Sequence, residues 1–320
     1  MGYDLENGNQ RAEGCGVVED ERGTDIVHQT PAVPLTRRRL AFCFLIYDVI
    51  NHEDAWGAFF DGVDEARYSI YVHYKTDTPM RPFFERRKLR ADACVQTAWA
   101  GISLVEATNV LLRTALDDPE NTSFILVSGA CIPLKRFDHV YDAIGEASYF
   151  NLAPHEQCFP RCNAALRLLA RDHVQKAHQW CILNRRHAQM MVDEAAAYID
   201  WFDVCPDEHC YISLIFHRGL QHEIVATPNL ADGATTFTNW GAPYKYAASG
   251  VRLPKSYAGI STEELAHLLS SASLFGRKFA VECAPVLRSA AYLAAVASVA
   301  VASRAPSPAA RASIWGLEGG

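Results

Sequence analysis

Eight successive residues, Leu40-Ala-Phe-Cys-Phe-Leu-Ile-Tyr47, are apolar. A run that short with no polar face fits a strand covered on both sides, and such a strand calls for helices above and below a largely parallel sheet. The rest of the chain answers that requirement. Asp54 to Asp64 carries Ala55, Phe59, Phe60 and Val63 at helical spacing. Tyr68-Ser-Ile-Tyr-Val-His73 is β-branched and aromatic, which predicts a second strand. Ser103 to Leu116 aligns Leu104, Ala107, Leu111, Leu112 and Ala115 along one helix face. Ser123-Phe-Ile-Leu-Val-Ser128 reads as a third buried strand, closed by a turn at Gly129. Further on, the pattern predicts helices over Phe137–Ala147 and Arg185–Ile199, a strand over Trp180–Leu183, and a loop from Pro206 that runs into a helix ending at Phe216. Strands alternating with helices across short connections predict an α/β sandwich with a mostly parallel sheet. In such a fold ligands bind beyond the carboxyl ends of the strands, so the loops after Tyr47, His73 and Ser128 are expected to border the site.

Several function classes drop out. A formal charge of -7 argues against a general nucleic-acid binder, which needs a basic surface to displace counterions. The chain lacks a Walker A loop, a Gly-x-Gly-x-x-Gly after a strand, a Gly-x-Ser-x-Gly elbow and a His-Glu-x-x-His helix. An Asp-x-Asp metal motif after a strand is missing too. Among the ten cysteines, Cys158-Phe-Pro-Arg-Cys162 and Cys205-Pro-Asp-Glu-His-Cys210 come nearest to a zinc module, with His209 beside them, but neither has the two-residue spacing of a zinc knuckle. The leading expectation for the cysteines is unpaired thiols, several of them buried.

Residues 1–37 are polar and charge-rich and read as a flexible tail; 38–290 reads as one domain; 291–320 reads as an Ala-rich helix followed by low-complexity chain. The acidic start, Met-Gly-Tyr-Asp-Leu-Glu-Asn, is unlike a signal peptide. The Ala/Val-rich run Ser289–Ser303, bracketed by Arg288 and Arg304, is short for a membrane span and fits a packed helix better.

Six segments, in order, resemble the core-2/I-branching glycosyltransferase family, with the plant-type branch nearest. They are Tyr68-Ser-Ile-Tyr-Val-His73, Trp99-Ala-Gly-Ile-Ser-Leu-Val-Glu-Ala107, Phe124-Ile-Leu-Val-Ser-Gly-Ala-Cys-Ile-Pro-Leu134, Gln179-Trp180 with Arg185, Cys205-Pro-Asp-Glu-His-Cys-Tyr211, and Leu274-Phe-Gly-Arg-Lys-Phe279. The resemblance implies a GT-A-like (Rossmann-like) α/β fold and inversion at the transferred sugar carbon. It also implies a UDP-sugar donor of GlcNAc or xylose, a glycan or glycoprotein acceptor, and no metal or other cofactor. Relatives are commonly held in the Golgi membrane by an N-terminal helix. No such anchor is visible here, which leaves a secretory membrane and a soluble cytoplasmic location both open.

The same resemblance assigns roles. Glu208 matches the base that removes the acceptor's proton; the plain alternative is that Asp207 and Glu208 only favour a helix N-terminus. With no metal, the departing diphosphate has to be neutralised by side chains. Lys278 stands at one of the family's two basic positions, and Lys255 stands at the other, with Lys in place of the usual Arg. Arg277 and Arg252 are the alternates. His73 replaces an Asp that touches the nucleoside in many animal members, and Ala100 replaces a Gly. His73, Asp207, Gln179 and Trp180 are further donor or acceptor contacts; Trp99, Trp180 and Trp240 could each stack on a sugar ring, but core packing is the first expectation. The alternative function is a catalytically inactive relative that binds glycans or a protein partner.

Overall fold

The computed structural model describes residues 38–158, 162–227, 233, 235–240, 245–246 and 252–298, with the side chains of Lys245, Tyr246 and Arg252 left out. The tails at 1–37 and 299–320 therefore lie outside the described residues.

The strands, in chain order, are β1 (Arg39–Ile46), β2 (Tyr68–Tyr74), β3 (Asn121–Ser128), β4 (Ile132–Pro133), β5 (Ser148–Asn151), β6 (Ile182–Asn184), β7 (Ile224–Thr227), β8 (Thr236–Thr238), β9 (Lys245–Tyr246), β10 (Arg252–Leu253) and β11 (Phe275–Arg277). Six of them form the main sheet in the order β2-β1-β3-β6-β5-β7. β1 is parallel to β2 and β3, β5 is parallel to β7, and β6 is antiparallel to both β3 and β5. Five strands thus share one direction and β6 opposes them, giving the mostly parallel α/β sheet expected.

The apolar run around β1 explains why both faces are covered. Its alternate side chains feed two separate cores. Phe42, Phe44 and Ile46 pack with Trp56, Phe59, Phe60, Phe137 and Phe275 on one face. Ala41, Cys43 and Leu45 pack with Leu111, Leu112 and Ala115 of the helix Ser103–Leu116 on the other. Phe42 sits at the centre of the aromatic face, with ring centroids 5.0 Å from Phe60 and 5.7 Å from Phe59, both edge-on.

A three-stranded sheet, β4-β11-β8, lies beside the main one, and β9 pairs with β10. Its core gathers Ile132, Leu134, Tyr257, Phe279, Leu287 and Tyr292. The C-terminal helix Ala290–Val296 buttresses it: Tyr292 is buried and its hydroxyl donates to the Pro133 carbonyl at 2.8 Å. The Ala/Val-rich run is therefore a short packed helix in its described part. No described helix is long and apolar enough to cross a membrane.

Several elements differ from the sequence pattern. The strand expected at Trp180 begins at Ile182, because Trp180 turns aside toward the site described below. The helix expected over Arg185–Ile199 breaks at Glu194 into Arg185–Asp193 and Ala195–Tyr198. The helix from Phe137 ends at Ala143, where Ile144 turns extended. On the helix Ser103–Leu116 the fully buried face uses Val105, and Leu104 is only partly buried.

Candidate active site

A cavity of about 960 Å³ opens beyond the carboxyl ends of β1, β2 and β3. Tyr47, Asp48, Val49, Asn51, Lys75 and Ser128 to Ala130 contribute to its wall, so all three predicted loops border it. Gly129 has a specific task there. A Cβ at that position would stand 2.3 Å from the Val49 carbonyl oxygen, and the Gly129 carbonyl accepts from Asn51 N at 2.8 Å. Only glycine lets the loops after β1 and β3 approach this closely.

Glu208 also lines the cavity, on a single 3-10 turn, Pro206–Glu208, ahead of the helix Cys210–His217. The turn is fixed from three sides. Cys205 takes a left-handed conformation (φ 49°), and its N–H donates to the carbonyl of Ala100, which is itself left-handed (φ 56°). The Glu208 carbonyl accepts from Ala177 N at 2.8 Å. Lys176 Nζ lies 3.1 Å from Glu208 Oε2, and the carboxylate stays partly open to the cavity. No side chain caps the helix that follows. The carboxylate of Glu208 thus meets Lys176 and the cavity rather than capping the helix with a hydrogen bond.

The left-handed Ala100 accounts for the glycine usual at this position, since a Cβ there costs roughly 1–2 kcal/mol in that conformation. Ala100→Gly is expected to raise stability by about 1 kcal/mol or less, the relief of strain being partly offset by a freer unfolded chain. A thermal melt checks this, and a lower melting temperature in the variant would count against strain at this residue.

Asp207 is the most perturbed acid of the site. Its Oδ1 is buried without a hydrogen-bond partner. Burial, then the neighbouring Glu208 charge, push its pKa up to about 7, against smaller opposing pulls from Arg277 and Lys176. The unfolded chain releases this proton near the ordinary aspartate value of 3.8, and the folded chain holds it to about 7. Its contribution is therefore complete below pH 4 and lost as pH rises toward 7. Asp207→Asn is expected to be more stable than the parent at pH 8, by about 1–3 kcal/mol, and to lose that advantage at pH 4. Chemical denaturation at the two pH values would show it; equal curves at both would remove the buried proton.

The cations come from three segments. Arg277, the last residue of β11, lines the cavity with its guanidinium 5.1 Å from the Trp180 ring centroid, a cation–π contact. Lys278 follows it into the same wall, where desolvation and the Arg277 charge lower its pKa. Lys75 and Lys176 complete the basic lining, opposed by Asp48, Asp207 and Glu208. His178 also lines the cavity. It is buried, contacts Thr238 Oγ1 through Nε2 at 2.9 Å, and is held neutral by burial and by Arg277 and Lys176.

Of the residues singled out in the sequence, Glu208, Asp207, Lys278, Arg277, Gln179, Trp180, Trp99, Trp240 and Ala100 meet here. Others do not. Lys255 is absent from the lining; its ammonium pairs with Glu264 at 3.1 Å and lies 4.3 Å over the Tyr257 ring. Its neighbours Leu253 and Pro254 reach the cavity instead. Arg252 opens β10, and its side chain lies outside the described residues. His73 is outside the lining as well. It is fully buried, accepts from Val95 N at 2.8 Å, and burial lowers its pKa to about 4, so in this structure it holds the segment leading to Thr97. Trp99 corrects in the other direction: it is 72% exposed at the cavity and is no core residue. The zinc module also fails to assemble. Cys210 Sγ points to the Tyr198 carbonyl, while Cys162 faces His209, and no three candidate ligands converge among the described residues.

Lys176, Lys75, Asp48 and Asn51 escaped the sequence reading. Lys176 had a signal, since it stands three residues before the Gln179-Trp180 pair. The others follow strands and became visible only once the sheet was assembled.

Comparison with known proteins bears on this geometry. The family model described as Core-2/I-Branching enzyme matches residues 40–268. Among curated proteins, the chain is similar to Glycosyltransferase BC10 of Oryza sativa subsp. japonica, 29% identical over 236 residues, covering 62% of this chain and 58% of the rice protein. The chain therefore spans less than two thirds of that relative's length. Among solved structures, it is similar to the galactosyltransferase LgtC in complex with donor and acceptor sugar analogues. That match has a TM-score of 0.36 and 10% identity, covering 61% of this chain and 75% of the other, too distant for any detail to carry across. The family match takes in the Glu208 turn, the Lys176–Trp180 segment and well over half of the sequence. On that match, the chain belongs to the Core-2/I-Branching enzyme family.

Proposed function

We propose that this chain is an inverting, metal-independent glycosyltransferase that moves a sugar, GlcNAc or xylose, from a UDP-sugar to a hydroxyl of a glycan or glycoprotein. The observation that carries the reading is the presence in one cavity of a carboxylate, Glu208, and two cations adjacent in the chain, Arg277 and Lys278. In this reading Glu208 accepts the proton of the acceptor hydroxyl as that oxygen attacks the anomeric carbon. The bond to the diphosphate breaks on the opposite face of the sugar, and the charge released onto UDP is met by Arg277 and Lys278. Lys176 keeps Glu208 turned into the cavity.

One observation favours the alternative, an inactive relative that binds without turnover. Lys255, the second basic position of the family pattern, is turned to Glu264. Arg277 offsets this, since it brings a second cation into the cavity from the residue beside Lys278.

A donor-hydrolysis screen separates the two. Purified protein with EDTA is given a panel of nucleotide sugars, and released nucleotide is measured beside a binding titration with UDP. Release from one donor in EDTA, lost in Glu208→Gln, is the expected result and names the sugar. Binding of UDP with neither hydrolysis nor transfer to any supplied glycan would favour the inactive relative; no binding at all would end the transferase reading.

A further inference from the structure

The mouth of the cavity carries two aromatic side chains that the chemistry above leaves without a task. Among the described residues, five large hydrophobic side chains are strongly exposed. The two aromatic ones, Tyr47 at 63% and Trp99 at 72%, are the two that line the cavity. Leaving an indole in water forgoes the burial of one of the largest apolar side chains, so its position at a cavity mouth calls for a ligand.

The rim that presents them is built. Lys75 N and Thr76 N both donate to the Tyr47 carbonyl, at 2.9 and 2.8 Å. Lys75 Nζ donates to the Thr97 carbonyl at 2.7 Å and lies 5.2 Å from the Tyr47 ring centroid. Ala98 N donates to Ser103 Oγ at 2.8 Å. On the far side of Trp99, the Ala100 carbonyl accepts from Cys205 N, three residues before Glu208. Trp99 is therefore tied through its neighbour to the turn that holds Glu208. On the transferase reading, an acceptor whose hydroxyl reaches Glu208 shares one cavity with this edge.

The chemistry of the edge selects among acceptors. A single flat indole with polar neighbours, Asp48 and Gln157 on the same cavity, suits a ring with an apolar face and a hydroxylated border. A lipid tail would need a wider apolar patch, and the remaining exposed hydrophobics, Leu168, Val225 and Val281, are not part of this cavity. We propose that Trp99 is an acceptor subsite that stacks on a pyranose ring of a neutral saccharide, so that the acceptor is a glycan chain rather than a bare peptide. This rests on the transferase reading, because that reading places the acceptor at Glu208.

The test uses the full chain, with Trp99→Ala and Trp99→Phe beside it. Labelled protein is applied to a slide printed with neutral oligosaccharides and with unglycosylated Ser/Thr peptides, and UDP binding is titrated separately. The parent and Trp99→Phe are expected to bind one class of saccharide, and Trp99→Ala to bind it about tenfold more weakly, the loss of one stacking contact. A melting curve for each variant excludes a folding defect as the cause. Saccharide binding that survives Trp99→Ala in full, binding of the parent to peptides alone, or no saccharide binding by the parent would each overturn the proposal. Saccharide binding through Trp99 with no UDP binding would sink the transferase reading and leave the subsite standing.

Discussion

Glu208→Gln is expected to lower the turnover of sugar transfer by about 10³-fold, within the range general-base catalysis supplies, while donor affinity changes little. The substitution keeps the shape and hydrogen-bonding reach of the side chain and removes its ability to take a proton. Three features of the turn outlast it: the left-handed Cys205, the bond from Cys205 N to Ala100, and the bond from Ala177 N to the Glu208 carbonyl. What disappears is the charge that answers Lys176 at 3.1 Å. Steady-state kinetics on the donor found by the hydrolysis screen would give kcat and KM separately. A variant that retains more than about a tenth of the parent's turnover would show that Glu208 is not the base.

The second large effect is expected at the paired cations. Lys278→Ala and Arg277→Ala should each lower kcat by about 10²-fold, as for loss of one preorganised partner of a developing negative charge. Their stabilities should part. Lys278 is exposed, so its removal is expected to change stability by about 0.5 kcal/mol or less. Arg277 stacks on Trp180 and offsets part of the Asp207 charge, so its loss is expected to destabilise as well. Arg277→Lys should recover only part of the activity, because an ammonium cannot reproduce the planar stack on the indole. Since the proposed reading has the two cations share one diphosphate, the double variant should lose less than the product of the singles. Full activity in both single variants would place the diphosphate elsewhere in the cavity.

Much of the fold was legible because its signals are local. The uninterrupted apolar run around β1 and the helical spacing over Ser103–Leu116 each report on burial within a few residues, and the structure bears out both. β5 was not legible, since its Ser148 and Asn151 are polar yet buried. Ser148 is satisfied by His187 Nδ1 at 2.7 Å, and Asn151 Oδ1 accepts from Thr235 N at 3.1 Å, partners that stand far along the chain. The site shows the same division. Motif spacing brought Glu208, Arg277 and Lys278 to one cavity, because short motifs fix which residues sit together on a turn. It did not fix direction. Lys255 stands at the family spacing but points to Glu264, nine residues on, and His73 turns its ring toward Val95. Trp99 was misjudged for a related reason: an indole beside Ala and Gly reads as core until the packing of other segments decides what covers it.

Glu208 and the cations are carried by different elements, which meet where the Arg277 guanidinium lies 5.1 Å from the Trp180 ring. The carboxylate rides on a turn tied to Ala100 and to Lys176–Ala177, while Arg277 and Lys278 close β11 in the three-stranded sheet, ahead of Phe279 in a core of its own with Tyr257 and Tyr292. On the proposed reading, changes in that second core bear first on the hold on the departing diphosphate, and changes around the Glu208 turn bear first on proton removal from the acceptor. Inherited variation would then have two dials to turn, one for how firmly the leaving group is met and one for how the acceptor is deprotonated.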